Sequence, residues 1–551
     1  TAVTFTNQAA LQLKERLQAS LGKKGGVKKL RAGTFHALCL SYLQEKGETG
    51  ILIDAVEALE LLRELVKEAG FKRKPERLQN RISLYKTAGE QDRSDLEEEE
   101  LQILESYNLR LKAQGLWDYD DLLTETVRLL REENEAREEA DGRKKRTGAR
   151  KADTYLLVDE FQDINPVQYE LLKLWNRDGK QLFVIGDPDQ AIYGFRGSSA
   201  ACFEILRSDA PGLKEVTLTQ NYRSTPEILN AALPMISHNP GPQRMLTAQS
   251  PAGPKVRLVT AQGSKEEALF VAGEIVRQIG GVDMLQAHEA AHREERERNR
   301  SFGDIAVLYR THRQAELMEQ YLRQEGIPCV IGGRDSFLSD PAVRGAVCFF
   351  RYLLNSEDIR SERTSRRLLW ASREDFPQMT EKYAALVQGT RPEKLFLKWA
   401  KDMELDQEPS IKKLTEMAGF AKTTEEFLNC LLLGVESDLK RQPGRHYSSD
   451  AVHLMTLHGA KGLEFPVVMV CGLKKGLLPL EAATGQAELT EERRLFYVGM
   501  TRAREELILL SPGEPSLFLR ELPNAAVSRE EAYVRKREEQ SVQLSLFDFM
   551  N

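Results

Sequence analysis

The sequence predicts an α/β protein with two parallel-sheet domains, each interrupted by a helical stretch. Three observations carry this reading. Short apolar runs of strand length end in carboxylate-bearing turns at residues 155–160 and 182–189. A second series of alternating strand and helix patterns spans 255–340 and resumes at 451. Over 51–130 and again over 337–444, apolar residues recur at three- and four-residue spacing, the period of a helix with one buried face. At 551 residues the chain is too long for a single hydrophobic core.

Composition narrows the function classes. The 78 Lys and Arg against 84 Asp and Glu leave a net charge of −6, which excludes a non-specific polycation. Any contact with nucleic acid must use a local basic groove. The six cysteines include no C-x-x-C pair, so neither a zinc site nor a disulfide framework is suggested, and reduced thiols of a cytoplasmic protein fit best. No apolar run reaches the length of a membrane span.

Residues 1–16 alternate as a strand and pass into a helix through Thr6 and Asn7, both good N-caps. In L-R-A-G-T-F-H-A-L-C-L (30–40), Gly33 and Thr34 stand at a strand end and Phe35 at a helix start. An exposed helix N-terminus with small hydroxyls suits phosphate, and Phe35 can stack on a base. Taken alone, the segment reads first as a strand–helix junction with a core Phe. Within the helical stretch, W-D-Y-D-D-L-L (117–123) gathers three acids around a Tyr. The charge-rich residues 131–151, with R-K-K-R at 143–146, read as a mobile loop.

The chain is organised around Y-L-L-V-D-E-F-Q-D-I-N-P-V-Q (155–168). Residues 155–158 read as a strand buried on both faces, ending on Asp159 and Glu160. Open α/β sheets place ligands at the C-terminal ends of such strands. Asp159 can hold a Mg²⁺ bound to a nucleotide, and Glu160 can orient or deprotonate an attacking water. A strand that simply stops in a polar turn reads the same way. Residues 182–185 form another buried strand ending in a polar turn, where the amide of Gln190 can sense a γ-phosphate. Tyr193 and Phe195 alternate with Arg196, the aromatic-plus-basic interleaving of single-strand binders. Residues 216–224 read as a strand leading to Tyr222 and Arg223, a flat ring and a phosphate-binding fork suited to clamp a nucleotide. In the second half, 451–470 gives two strands joined through a Gly-bearing turn, and 491–510 a helix carrying Arg502 and Arg504 followed by a strand. An arginine reaching a γ-phosphate is worth roughly 10³- to 10⁵-fold in rate.

T-F-T-N-Q-A-A, G-T-F-H-A-L, V-D-E-F-Q-D, G-D-P-D-Q-A-I-Y-G-F-R-G, N-Y-R-S, T-L-H-G-A-K-G-L-E-F and Y-V-G-M-T-R-A, in this order, resemble the motor motifs of UvrD/Rep-type superfamily 1 DNA helicases. The resemblance covers most of the chain. It implies two RecA-like domains with ATP between them and 3′ to 5′ translocation on single-stranded DNA, coupled to unwinding of partially duplex DNA. The implied organisation is a first motor domain over 1–45 and 131–235 with a helical insertion over 46–130. A second covers 236–340 and 449–525 with a helical insertion over 341–448, followed by a flexible tail over 526–551. By motif, Asp159 and Glu160 serve Mg²⁺ and water activation, and Gln190, Arg223 and Arg502 approach the γ-phosphate. Tyr222 stacks on adenine and Glu464 contacts the ribose. Thr6, Asn7, Thr34, Phe35, His36, Tyr193, Phe195, Arg196, Thr456 and His458 line the DNA path. Phe195 stands where the family usually has Trp, a larger stacking face.

The phosphate loop G-x-x-x-x-G-K-[ST] of this family occurs nowhere in the 551 residues. The chain begins at Thr1 inside a strand pattern, and an N-terminal truncation is expected. The alternative to a motor is a non-catalytic, DNA-binding scaffold recruited to a sliding clamp. Retained γ-phosphate sensors argue against that alternative. Near the C-terminus, Gln543, Leu544, Ser545, Leu546 and Phe547 resemble the bacterial sliding-clamp-binding pentapeptide, and residues 528–540 before them read as a disordered tether. Two Leu and a Phe would fill an apolar groove, with Gln hydrogen-bonding at its rim. A terminal segment folded back on its own core reads similarly.

Two outcomes follow. The purified 551-residue chain hydrolyses ATP negligibly; an appreciable DNA-stimulated ATPase rate would overturn this. Leu546→Ala and Phe547→Ala abolish binding to a bacterial sliding clamp in a surface-immobilised binding assay, and unchanged binding removes the pentapeptide reading.

Overall fold

Parallel pairing of short apolar strands builds both halves of the chain. The computed structural model describes residues 1–21, 30–48, 50–88, 96–141, 155–176, 181–198, 201–241, 244–280, 300–332, 334–419, 421–433, 450–481 and 485–532. The chain divides into two compact units, Thr1–Lys214 with Gly333–Arg445, and Glu215–Gly332 with His446–Asn551.

In the first unit the strands are β1 (Ala2–Val3), β2 (Ala32–Gly33), β3 (Ile51–Leu52), β4 (Leu116–Trp117), β5 (Tyr155–Val158) and β6 (Gln181–Val184). Four of them form a parallel sheet in the order β2-β1-β5-β6. β3 and β4 pair separately inside the otherwise helical 46–130 stretch, which the sequence pattern did not reveal. Leu156 and Val158 point into a core with Leu43, Leu123, Val127 and Leu171 from the helices Phe35–Glu45, Tyr119–Asp141 and Pro166–Trp175. The last of these starts with Pro166 and a reciprocal capping box between Asn165 and Gln168. The expectation that β5 and β6 are buried on both faces is corrected here. Tyr155 and Phe183 are 54% and 59% exposed, and Leu157 and Ile185 are exposed beside them. The helix Asn7–Leu21 packs Ala10 on Ala2 and Ala32 at the other end of the sheet, and no described helix covers the opposite face of β5 and β6.

The helix Tyr119–Asp141 runs through half of what the sequence reads as a charged loop; R-K-K-R at 143–146 lies outside the described residues. The helical stretch from Arg334 to Leu433 has its own aromatic core, with Phe349, Phe350, Trp370, Phe396 and Trp399 buried and the Phe350 and Phe396 rings 4.2 Å apart. Buried Arg351 donates to Glu57 at 2.9 Å and to the Leu52 carbonyl at 2.8 Å, and pairs with Asp358 at 3.1 Å. Tyr119 donates to the Leu432 carbonyl at 2.7 Å. These contacts tie the stretch to the first helical insertion and make it part of the first unit.

The second unit contains β7 (Gln220–Asn221), β8 (Thr247–Ala248), β9 (Val256–Ala261), β10 (Ile305–Tyr309), β11 (Cys329–Ile331), β12 (Val452–Thr456), β13 (Phe465–Val470), β14 (Ala503–Pro512) and β15 (Val527–Glu531). Seven strands form a parallel sheet in the order β11-β12-β10-β13-β14-β9-β15. Every residue of β10 is buried. The chain leaves this sheet after β11 and returns at the adjacent β12, so Arg334 to Leu433 is an insertion by connectivity although it packs in the first unit.

Three further expectations change. Only Gln220–Asn221 of the 216–224 run is strand, pairing with β8, while Val216 and Leu218 are exposed and outside any ladder. N-Y-R-S therefore joins the second unit rather than the first. The start of the expected disordered tether is instead an edge strand, β15, held by main-chain pairing to β9 and by Arg257 donating to Glu530 at 2.8 Å. The clamp-like residues Gln543, Leu544, Ser545, Leu546 and Phe547 lie outside the described residues. No described helix is long and apolar enough to cross a membrane.

Glu267, buried on the helix Ser264–Gln278, accepts from the Gly472 amide at 2.6 Å, and burial pushes its carboxyl up from 4.5 to about 7. The native state thus holds a proton that the unfolded chain releases between these values, and Glu267 destabilises the fold progressively as pH rises from 4.5 to 7. Urea midpoints measured at pH 5 and pH 8 should fall more for the native sequence than for Glu267→Gln.

Candidate functional site

The β5–β6 ladder continues past both strand ends. Ile185 donates its amide to the Val158 carbonyl at 2.8 Å, and Phe161 donates to the Ile185 carbonyl at 3.0 Å. This brings the turn after β5 against the turn after β6. Glu160 sits in the left-handed region, φ 52° and ψ 44°, and opens the short 3₁₀ turn Phe161–Asp163. A non-glycine residue there costs roughly 1–2 kcal/mol, which the surrounding bonds must offset.

Those bonds form a continuous chain. Gln162 donates to Glu160 Oε2 at 2.5 Å and accepts from the Asp187 amide at 2.9 Å. Gln190 donates to Asp187 Oδ2 at 2.8 Å, and Asp187 Oδ1 caps the Asp189 amide at 3.0 Å. The carboxylate expected to activate water and the amide expected to sense the γ-phosphate are thereby linked through Gln162 and Asp187. Neither linking residue was singled out from the sequence. The available signal was a Gln two positions after Glu160 in D-E-F-Q-D; it is wholly buried and must spend its amide on partners. Gly186 makes room for it: a Cβ there would stand 2.5 Å from Gln162 Oε1 and 2.8 Å from Phe203 Cζ.

Asp159 is exposed, with Oδ1 accepting the Glu160 amide at 3.0 Å. Desolvation first, then the neighbouring Glu160 charge, raises its carboxyl above the usual range. Burial also raises Asp187. Crowded acids beside a strand end are the donor set a hard divalent cation relieves, and Mg²⁺ needs only one or two protein carboxylates when phosphate oxygens complete its shell.

The expected DNA-lining residues separate into two groups. Phe195 is 52% exposed, and Arg196 is exposed with its guanidinium 5.3 Å from the Tyr193 ring and 5.5 Å from the Phe195 ring. Tyr193 itself is buried, stacked on Phe5 at 5.1 Å, so it supports the loop and does not offer a base a face. Phe35 is in the core against Trp175, which corrects its expected stacking role. Thr34 is buried and its hydroxyl caps the next helix by accepting the Ala37 amide at 3.3 Å. Thr6 likewise accepts the Ala9 amide at 3.0 Å where Asn7 opens its helix. His36 is half-buried beside Tyr119, and burial with the Arg196 charge lowers its imidazole to about 4, so it meets a neutral-pH partner as a neutral ring.

In the second unit, Asn221 Oδ1 accepts the amides of Arg223 and Ser224 at 3.0 and 2.9 Å, and the Ser224 hydroxyl donates to the Ala503 carbonyl at 2.7 Å. This turn leaves Tyr222 73% exposed and sends Arg223 Nε to Glu464 at 2.8 Å. Tyr222, Arg223 and Glu464 thus gather as an exposed ring beside a charged pair. Arg502 lies after the helix Gln486–Met500, not on it, and Arg504 lies in β14. Arg502 is buried and donates to the carbonyls of Val498 at 2.9 Å and Leu463 at 3.3 Å. It anchors the residue before Glu464. Thr456 is buried and accepts the Gly459 amide at 3.0 Å, closing the turn in which His458 is half-exposed.

Known proteins resemble this chain along most of its length. The model of the UvrD/REP helicase N-terminal domain matches residues 1–211, and that of the UvrD-like helicase C-terminal domain matches 216–384 and 378–512. ATP-dependent DNA helicase Rep of Escherichia coli K12 is 31% identical over 95% of this chain and 87% of its own length. ATP-dependent DNA helicase UvrD1 of Mycobacterium tuberculosis H37Rv is 29% identical over 96% of this chain and 79% of its own length. ATP-dependent DNA helicase PcrA of Staphylococcus epidermidis ATCC 12228 is 27% identical, covering 95% and 79%. The chain belongs to the UvrD/REP helicase family.

Proposed function

We propose that this chain is the motor of an ATP-dependent DNA helicase that moves 3′ to 5′ along single-stranded DNA and unwinds duplex DNA during repair or replication. The observation that carries the reading is the hydrogen-bonded chain Glu160–Gln162–Asp187–Gln190. It links a candidate general base to a candidate phosphate sensor through the Gln162 side chain and the main-chain amide and carboxylate of Asp187, and a scaffold protein needs no such link. Glu160 orients and deprotonates the attacking water; Gln190 reports the γ-phosphate. Asp159 would hold Mg²⁺, which when bound neutralises charge on the phosphate oxygens. Tyr222 stacks on the adenine and Glu464 takes the ribose once Arg223 turns toward phosphate. Arg502 supplies a second positive charge at the γ-phosphate. Phe195 with Arg196, and His458, contact the single strand.

A second reading is a clamp-recruited, DNA-binding scaffold with a decayed motor. The retained Asp159, Glu160, Gln190, Arg223 and Arg502 argue against it, because a scaffold has no need of γ-phosphate sensors. The coding sequence upstream of Thr1 separates the two. An in-frame phosphate loop supports the motor, and an upstream sequence without one supports the scaffold.

In a protein carrying that loop, Glu160→Gln should lower DNA-stimulated turnover by roughly 10²- to 10⁴-fold. Strand-displacement assays should show unwinding of a 3′-tailed duplex and none of a 5′-tailed one. Preferred unwinding of the 5′-tailed duplex would reverse the proposed direction.

A further inference from the structure

Lys86 lies near the end of the helix Pro75–Thr87, and its side chain is 8% exposed. Its ammonium contacts Asp118 Oδ2 at 2.7 Å and Asp121 Oδ1 at 2.8 Å, over the Tyr107 ring at 5.2 Å. These two carboxylates are already in use. Asp121 donates its amide to Asp118 Oδ1 at 2.9 Å, and Asp118 donates its amide to Asp121 Oδ2 at 3.0 Å. That is a reciprocal cap on the helix Tyr119–Asp141, made with one oxygen of each acid. Lys86 takes the other oxygen of each. One buried cation therefore joins the last turn of one helix to the first turn of another.

Both joined ends touch the Tyr193–Phe195–Arg196 loop or its support. The loop closes at Gly197, φ +82°, where a Cβ would lie 3.5 Å from Leu84 Cδ2 and 3.8 Å from Thr87 Oγ1, both on the Lys86 helix. Tyr119, first residue of the other helix, sets its ring edge-on to His36, 6.1 Å away, and His36 is within electrostatic reach of Arg196. We propose that Lys86 is a positioning residue for single-strand binding, clamping the two helix ends on which the Phe195–Arg196 surface rests. This rests on the reading of that surface as the part that stacks on bases.

Removing the cation leaves Asp118, Asp120 and Asp121 crowded without a counter-charge. Burial, reinforced by Asp118, already raises Asp120 to about 7 and Asp121 to about 6. Among the described residues, Tyr107, whose ring lies under the Lys86 ammonium, is pushed up and stays neutral, and His36, beside Tyr119 and lowered to about 4 by burial and by the Arg196 charge, stays neutral above pH 5. Acidification should therefore relieve the crowding by protonating Asp120 and Asp121.

The test is fluorescence anisotropy of labelled oligo(dT) with the 551-residue chain at pH 8 and pH 6, with circular dichroism as a check on helix content. The variants are Lys86→Met, Asp121→Asn and Phe195→Ala. Phe195→Ala examines the stacking surface itself: if it binds like the native sequence, or if the native sequence does not bind, the surface reading fails whatever Lys86 does. Given native binding and a Phe195→Ala loss, Lys86→Met should bind roughly tenfold more weakly at pH 8, on the scale of one lost base stack, with the deficit narrowing at pH 6. Asp121→Asn can keep the reciprocal cap while losing the contact with Lys86, and should also bind more weakly, which decides the matter should Lys86→Met fail to fold. Native affinity in either variant, or a Lys86→Met deficit equal at both pH values, overturns the positioning role.

Discussion

The main-chain ladder between β5 and β6 is the constraint from which the candidate site follows. Two bonds, Ile185 to Val158 and Phe161 to Ile185, carry the pairing beyond the strands and fix the register of the turns that follow. Once that register is set, Gln162 faces the Asp187 amide, and Glu160 is held in a backbone conformation it would not adopt alone. A slip of one residue would turn Leu156 and Val158 out of the core and carry the acids away from Gln190. The burial of two side chains therefore decides the geometry of four polar ones.

A different economy holds the helical insertions together. Their apolar cores are separate, one around Leu61, Leu62 and Tyr107 and one around Phe349, Phe350 and Trp399. Polar contacts join them, Arg351 with Glu57 and Arg344 with Glu60 at 3.5 Å, beside an apolar one where Leu432 and Leu433 share a core with Leu52, Leu122 and Leu123. Buried ion pairs recover only part of their desolvation cost, so such a contact specifies an arrangement more than it stabilises one. Glu57 also closes the capping box of the helix Ala55–Glu68 with Asp54, so the same carboxylate starts a helix and receives the neighbouring insertion.

Much of this was legible in the sequence because local patterns and local chemistry coincide. The strand at 155–158, the acids at its end, the parallel second sheet and, over the described residues as far as Leu433, the helical stretch that begins at 337 all follow from periodicity and turn residues. The misreadings share a cause. Whether an apolar residue is covered depends on what packs over it, which no window of sequence contains. Phe35 is core because Trp175, 140 positions later, lies against it. Val216 and Leu218 alternate like a strand, yet no described strand pairs with them. Arg502 was recognisable by motif, but its burial against Val498 and Leu463 was not.

The face of β5 and β6 that no described helix covers bears on how the chain behaves in a tube. Among the described residues β6 has a strand neighbour on one side only, and Gln181–Val184 carries neither a charge nor a proline to discourage another. Tyr155, Leu157, Phe183 and Ile185 add an oily plane beside that bare ladder. Such edges recruit copies of themselves.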